Sequence, residues 1–341
     1  MDDAIDAGQV SEFGKKDLVN ANGSTAPLRA LELFCGIGGF AAAVAGTNVR
    51  VVGAFDQDPA ALATYRLNFP DHGARPVDLE RVSAWELTAG GIDFWWLSPP
   101  CQPYCERGAH RDLADPRARS LVHILDILSR IPGERLPRHI ALENVAGFVG
   151  SEAHGRLTEV LASRGYQVQE RLLCPTELGI PARRRRYYLV ASHEQLRPVV
   201  VPELLPLRPL AEYLDPGFAR HLLLPSDVVA RFGGALPILE PADGSACATC
   251  FTAGYGRSIT SAGSYLQCAG GVRYFSPDEI ARLMQFPEGF RFPEEIGLRK
   301  RWHLIGNSLA VGAVREVLRA FPTLGLSPAA ENPSITGEKM V

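Results

Sequence analysis

The sequence predicts an α/β fold, a mostly parallel sheet flanked by helices with a smaller loop-rich lobe set into the chain behind it. Three observations carry this. Short, nearly continuous apolar runs alternate with stretches of helical period from Leu28 to about Ser192. The first of these runs leads into a turn holding Gly36, Gly38 and Gly39. After Ser192 the texture changes, and proline, glycine and serine replace the alternation.

The elements follow in order. Residues 1–27 are polar, poor in aromatics and expected to be a flexible leader. Leu28–Phe34 has the composition of a strand covered on both faces. The glycine turn then opens a small-residue helix, Phe40–Ala45. Val49–Phe55 is a second strand and Pro59–Asn68 a helix. Phe94–Leu97 is a short buried strand stopped by Pro99 and Pro100. Leu121, Ile124, Leu125, Leu128 and Ile131 recur at helical spacing. Ile140–Leu142 and Tyr187–Val190 are further strands. Residues 197–245 are rich in Pro and Leu without a clean period, and Gly254, Gly256, Gly263 and Gly270 punctuate the stretch after them. Pro277–Met284 is a short helix with Ser276 as its N-cap. Val311, Val314, Val317, Leu318 and Phe321 stripe a last helix, and the tail from about Pro328 is polar. The expected division is a leader 1–27, a catalytic and cofactor-binding domain 28–192, a small target-recognition lobe 193–272, a closing segment 273–325 and a flexible tail 326–341.

Composition narrows the classes of function. Lys and Arg number 35 against 38 Asp and Glu, so a histone-like basic coat is excluded while a local basic cleft is not. Hydrophobic residues make up 46% and charged ones 21%, which excludes disorder throughout. No apolar run approaches the roughly 18 residues of a membrane helix. The first residues carry acids where a secretory signal would carry bases, so a cytoplasmic protein is expected. Seven cysteines, an odd number scattered along a long chain, argue against a disulfide framework. Cys247 and Cys250 form one C-x-x-C, half of what a structural zinc needs, so no metal is expected.

Five motifs bear chemistry. In L-E-L-F-C-G-I-G-G (residues 31–39) the glycines let backbone approach a ligand, and the following helix points amide N–H groups at it. Asp56, twenty residues past Gly36, stands where a carboxylate can take ribose hydroxyls. A tight turn beside an exposed acid explains this motif as well, and NAD and S-adenosylmethionine are both open. In S-P-P-C-Q-P-Y (residues 98–104) prolines on either side fix the sulfur of Cys101 beyond a strand's carboxyl end. That arrangement suits a nucleophile better than a structural thiol, whereas Cys105 lacks the setting and is taken as incidental. L-E-N-V (residues 142–145) ends a strand with Glu143, whose semi-buried place raises a carboxylate's pKa and lets it bind or protonate a ring nitrogen. G-I-P-A-R-R-R-R-Y-Y (residues 179–188) reads as a solvated basic loop or a phosphate contact; if the strand begins near Arg184, alternation sends Arg184 and Arg186 one way and Arg183 and Arg185 the other, so that one pair can face the crevice and its polyanion while the other meets solvent. I-G-N-S-L (residues 305–309) is a turn opening the final helix, with Asn307 or Ser308 as a cap that also reaches a ligand.

Taken in this order, the five motifs closely resemble those of the cytosine-C5 methyltransferases, from about Arg29 to Ala320. Within that family the chain is most similar to the branch that methylates tRNA of the aspartate type at cytosine 38. Cys250-Phe251-Thr252 with Ala253-Gly254-Tyr255-Gly256 matches that branch's C-F-T-x-G-Y-G, and R-Y-F-S-P-D-E-I-A further on resembles it too. The lobe between the R-x-R motif and the closing helix is short, as it is in that branch. One departure is Ala182, where the family usually has Gln or Asn.

The resemblance implies a Rossmann-like S-adenosylmethionine-dependent fold with a mixed, mostly parallel sheet. It implies Cys101 as the nucleophile that adds to C6 of cytosine, and Glu143 as the group binding N3 and the exocyclic amine. Arg186 would bind O2, and Arg184 would steady the site or a nearby phosphate. The cofactor residues carried over are Phe34, Gly36, Ile37, Gly38 and Gly39, with Asp56 for the ribose. Asp78 and Leu79 would meet the adenine, and Ser98, Asn307 and Ser308 would line the pocket. The target base must leave its stack, which costs least in a single-stranded loop such as a tRNA anticodon loop. DNA is the alternative substrate, and a monomer is expected. A silent nucleic-acid-binding protein would not need Cys101, Glu143 and Arg186 together, and an NAD-dependent oxidoreductase explains the first motif only. Arg107, His110, Arg111, Arg117 and Arg119, with Arg299–Arg301, could form a basic footprint or simply a solvated face.

Overall fold

A computed structural model describes residues 26–105, 111–198, 205–217 and 220–326. Most of the expected leader and tail, together with Arg107 and His110, lie outside the described residues.

The chain opens with β1 (Leu28–Leu33), α1 (Gly39–Val44), β2 (Val49–Asp56), α2 (Pro59–Asn68), β3 (Ala74–Pro76), α3 (Ala84–Thr88) and β4 (Phe94–Leu97). It continues through α4 (Arg119–Arg130), β5 (His139–Val145), α5 (Glu152–Ser163), β6 (Gln167–Leu173) and β7 (Arg186–Ser192). These strands form one seven-stranded sheet in the order β3-β2-β1-β4-β5-β7-β6. β1 to β5 run parallel, whereas β7 lies antiparallel to both β5 and β6. The sheet is thus mixed and mostly parallel, with a helix on nearly every crossover.

Side chains alternate between two cores, one on each face. Phe94 and Trp96 point to the face covered by α1 and α2, while Trp95 and Leu97 join Leu31 and Leu33 on the other. On the first face Phe40 stacks on Phe94 and Trp96 with centroids 5.4 and 5.1 Å away. On the second, Leu121, Ile124, Leu125 and Leu128 of α4 are all at most 1% exposed. Burying each such side chain stabilises the fold by roughly 1.5–3 kcal/mol. α5 brings a narrower stripe, Ala153, Leu157 and Leu161, to the same face.

The smaller lobe holds α6 (Ser226–Phe232), β8 (Ile238–Leu239), β9 (Tyr265–Cys268) and β10 (Gly271–Tyr274), the strands forming a second sheet in the order β10-β9-β8. The chain then returns through α7 (Pro277–Leu283), α8 (Leu298–Gly306) and α9 (Val311–Leu318). A buried, two-bonded ion pair joins lobe to return: Arg273 reaches both oxygens of Glu279 at 2.7 Å. Glu279 also closes a capping box with Ser276, the N-cap of α7. Tyr255 is buried at the centre, its hydroxyl donating to the Ser264 carbonyl at 2.6 Å and accepting from the Phe275 amide at 3.0 Å. α9 packs on α1, and Asn48 N–H donates to the Leu324 carbonyl at 3.1 Å. The last described residues therefore complete the face that α1 begins.

Three expectations change. β3, α3, α5, β6 and α8 are additional to the elements expected from the apolar pattern. G-N-S does not open the final helix, because Gly306 ends α8 and Asn307 is its C-cap. α9 starts after Ala310 with no side-chain cap. Arg186, rather than Arg184, is the first residue of β7.

Candidate active site

The glycine turn is built by backbone that only small or strained residues tolerate. Phe34, Gly36 and Gly38 all have positive φ, at 60°, 51° and 92°. A Cβ on Gly38 would stand 2.5 Å from the Phe69 ring, and one on Gly39 would stand 2.7 Å from Leu309. At Gly36, by contrast, a Cβ would meet nothing within 4 Å, so the turn leaves open space beside its backbone. Glu32 pins the turn from below. Its oxygens accept from Phe40 N–H at 3.1 Å and the Tyr65 hydroxyl at 2.9 Å. Burial pushes the Glu32 carboxyl up to about 8, against the lowering effect of those bonds.

The other expected cofactor residues gather at the carboxyl ends of the same strands. Asp56 accepts from Gly36 N–H at 2.8 Å, and from the amides of Gln57 and Asp58 at 2.7 and 2.9 Å. Gln57 in turn donates to Asp78 at 3.0 Å, joining the end of β2 to the loop after β3, where Leu79 is buried. Ser98 N–H donates to the Leu33 carbonyl at 3.2 Å, and its hydroxyl accepts from Trp96 Nε1 at 2.7 Å. Ile37 is buried behind the turn. Asn307 is exposed and Ser308 buried, and the contact of Leu309 with Gly39 carries both toward the turn.

Three residues after Ser98 stands Cys101, half-buried, at the start of a single 3-10 turn, Gln102–Tyr104. Pro99 is held by Asn144, whose amide donates to the Pro99 carbonyl at 3.3 Å. The N of E-N-V thus ties the loop carrying Cys101 to the end of β5. Glu143 comes from β5 beside it, 8% exposed. Its Oε1 lies 3.3 Å from Arg186 Nε. Burial raises the Glu143 pKa and the charges of Arg186 and Arg184 oppose the rise. Arg186 is held well above the usual arginine range despite burial, by Cys250 and Glu143.

The four arginines divide by alternation as expected, although the strand begins two residues late. Arg183 and Arg185 are exposed, Arg184 is buried and Arg186 half-buried. Arg184, however, does not face a phosphate. Its guanidinium donates to the carbonyls of Phe251 at 3.0 Å and Gly306 at 3.2 Å, and also to that of Ser308. It is a clamp between lobe and return segment, and burial lowers its pKa. Ala182 is 8% exposed and pairs by backbone with Ala248, so that stretch is a lobe contact. Arg111, Arg117 and Arg119 lie at and before the start of α4, and Arg299–Arg301 lie in α8.

Two further sulfurs complete the site. Cys105, taken as incidental from the sequence, folds back so that its thiol donates to the Cys101 carbonyl at 3.2 Å, with the charges of Arg186 and Arg117 acting on it. Cys250 Sγ sits 3.7 Å from a nitrogen of each of Arg184 and Arg186. Burial works against the Cys250 thiolate, but the two arginines lower its pKa overall. The C-F-T motif signalled Cys250 in sequence, whereas nothing local marks Cys105.

Comparison with known proteins agrees with this geometry. Residues 28–213 match the model of the C-5 cytosine-specific DNA methylase family. A human protein named tRNA (cytosine(38)-C(5))-methyltransferase is 31% identical across 86% of this chain and 98% of its own length. Its namesake from Schizosaccharomyces pombe is 32% identical across 85% of this chain and 96% of its own. The crystal structure of the S. pombe Dnmt2 methyltransferase superposes with a TM-score of 0.77 at 29% identity, covering 86% of this chain and 97% of that one.

Proposed function

We propose that this chain, which belongs to the cytosine-C5 methyltransferase family, methylates C5 of cytosine 38 in the anticodon loop of a tRNA. The observation that carries the reading is the meeting of Cys101, Glu143 and Arg186 at the ends of β4, β5 and β7, beside the glycine turn. The relatives named for tRNA cytosine 38 support the choice of substrate.

Cytosine C5 is a weak nucleophile until something adds at C6. Cys101 supplies the sulfur, held by the proline-walled loop within the field of Arg186. Glu143 has the burial and the raised pKa of a group that can bind N3 as an acid and take the exocyclic amine as an acceptor. Arg186 is suited to hold O2 and to keep Glu143 in place. Arg184 supports Arg186 through the carbonyls it grips rather than through the base.

The methyl donor fitting this site is S-adenosylmethionine, the donor common to the family. The open room beside Gly36 and the carboxylate of Asp56 next to it suit a nucleoside with a charged tail. Phe34, Gly36, Ile37, Gly38 and Gly39 would hold the tail and Asp56 the ribose. Asp78 and Leu79 would meet the adenine, with Ser98, Asn307 and Ser308 at the rim. When bound, the donor supplies an electrophilic methyl carbon on a sulfonium sulfur.

Labelled S-adenosylmethionine incubated with total tRNA, and separately with genomic DNA, tests the reading. Label in tRNA, mapped to cytosine 38, is expected. Label in DNA alone replaces tRNA with the substrate in the family's name. Label in neither favours a silent nucleic-acid binder.

A further inference from the structure

Attack on a base held by Glu143 needs the Cys101 sulfur and that carboxyl in fixed register, yet the two come from different segments of the chain. One stretch, residues 144–153, follows Glu143 directly and touches the segment of Cys101 at three places. Asn144 holds the Pro99 carbonyl at 3.3 Å. Four residues on, the Phe148 ring meets Tyr104 edge-on, with centroids 4.8 Å apart. At the end of the stretch, Asp112 takes the first two amides of α5. Glu152 N–H donates to its Oδ2 at 2.6 Å and Ala153 N–H to its Oδ1 at 3.2 Å.

This third contact is more than α5 requires. The helix has its own N-cap, Ser151, whose Oγ accepts from His154 N–H at 3.1 Å. Glu152 is exposed, so water could serve its amide. Instead a carboxylate arrives from forty residues earlier in the chain, where the helix dipole favours a negative group. Asp112 holds φ at 47°, a left-handed conformation that side-chain-bearing residues rarely adopt and that persists only where surrounding contacts fix it. The 3-10 turn it begins, Asp112–Ala114, packs on α5 and also on Gln102–Tyr104, the turn that Cys101 opens. The Asp112 carbonyl accepts from Asp115 N–H at 3.0 Å, and the chain runs on through Pro116–Ala118 into α4.

We propose that Asp112 is a positioning residue for Cys101. By gripping the N-terminus of α5 it keeps the turn behind the nucleophile seated on the stretch that follows Glu143, and so sets the sulfur in register with the carboxyl. It acts through that turn and not on the base. The role in catalysis rests on the cytosine-methylation reading, but the tie itself is measured without substrate.

Hydrogen–deuterium exchange of the full-length protein, without nucleic acid, compares the wild type with Asp112→Gly and Asp112→Asn. Glycine removes the carboxylate and accepts the positive φ, so backbone strain does not confuse the result. Asparagine tolerates the same φ and keeps one side-chain oxygen as an acceptor. The reporter is the Tyr104 amide, which donates to the Cys101 carbonyl at 3.0 Å. In Asp112→Gly, peptides covering residues 101–105 should exchange roughly tenfold faster, together with those covering 151–157. On whichever nucleic acid is methylated, kcat should fall by about 10²-fold while KM holds, as for a displaced nucleophile. Asp112→Asn should recover most of both losses. Faster exchange confined to residues 151–157 overturns the proposal, because Asp112 then only caps α5. An unchanged kcat in Asp112→Gly overturns it equally. If the wild type methylates neither tRNA nor DNA, the proposed reaction fails, and exchange at residues 101–105 alone decides the tie.

Discussion

At the scale of single residues, the site is an exercise in charge placement. Burial raises the Glu143 pKa and the nearby arginine charges oppose the rise, while Arg186 stands close enough to hold the carboxyl in one orientation. Cys101→Ala should remove transfer entirely and leave S-adenosylmethionine binding intact, as isothermal titration beside the labelling assay will read. Glu143→Gln keeps the shape but not the titratable oxygen, and should lower kcat by about 10²- to 10⁴-fold. Near-normal turnover in either variant would remove that residue from the mechanism. Cys101 and Glu143 are legible in sequence because each sits in a short motif whose neighbours say where the side chain goes. Prolines fix the loop of one, and a strand end fixes the other. Cys105 and the true task of Arg184 are not legible in that way. One depends on a turn that folds the Cys105 thiol back onto the Cys101 carbonyl, the other on carbonyls more than sixty residues away in the chain.

At the scale of elements, the buried strands announce themselves and the half-exposed ones do not. β4 is four apolar residues with every side chain buried, and α4 carries a broad stripe. β6, at the edge of the sheet, has only Leu173 buried, and α5 buries a narrow row of three residues, so neither leaves a clear apolar pattern. α8 is obscured by Arg299, Lys300 and Arg301 in its first turn. Its last residue is its most constrained. A Cβ on Gly306 would stand 2.3 Å from the carbonyl carbon of Thr252 and 2.6 Å from Ala253 N, both backbone atoms. Gly306→Ala should therefore destabilise the protein by about 2–3 kcal/mol by overpacking, and slow catalysis by shifting a carbonyl that holds Arg184. Urea denaturation with initial-rate measurements checks both effects. An unaltered midpoint would mean that α8 can retreat from the C-F-T stretch without loss.

At the scale of the whole molecule, both chain directions meet at His139. Its Nδ1 lies 3.0 Å from the Ser192 hydroxyl and its Nε2 lies 3.1 Å from the Thr323 hydroxyl. Burial, aided by Arg138, pulls its pKa from 6.5 down to about 4. The unfolded chain thus takes up a proton near 6.5 that the folded chain refuses until about 4. His139 contributes full stability above pH 6.5 and loses about 3 kcal/mol as pH falls through that window. Guanidinium titrations from pH 7 to 4 should show a shallower decline in His139→Gln than in the wild type. Parallel declines would mean that His139 charges without unfolding. The lobe was readable in the Pro, Gly and Ser texture after Ser192 and the last helix in its apolar stripe, whereas the mixed character of the sheet came only through the motifs taken together, because apolar periodicity says nothing about which strand reverses. The grip on Arg184 has a consequence for how the protein is made. The carbonyls that seat it belong to residues 251, 306 and 308, which leave the ribosome long after Cys101 does. A nascent chain holds Cys101 well before the seats of Arg184 exist. The Arg184 anchor can therefore close only after the segment that ends α8 has been made.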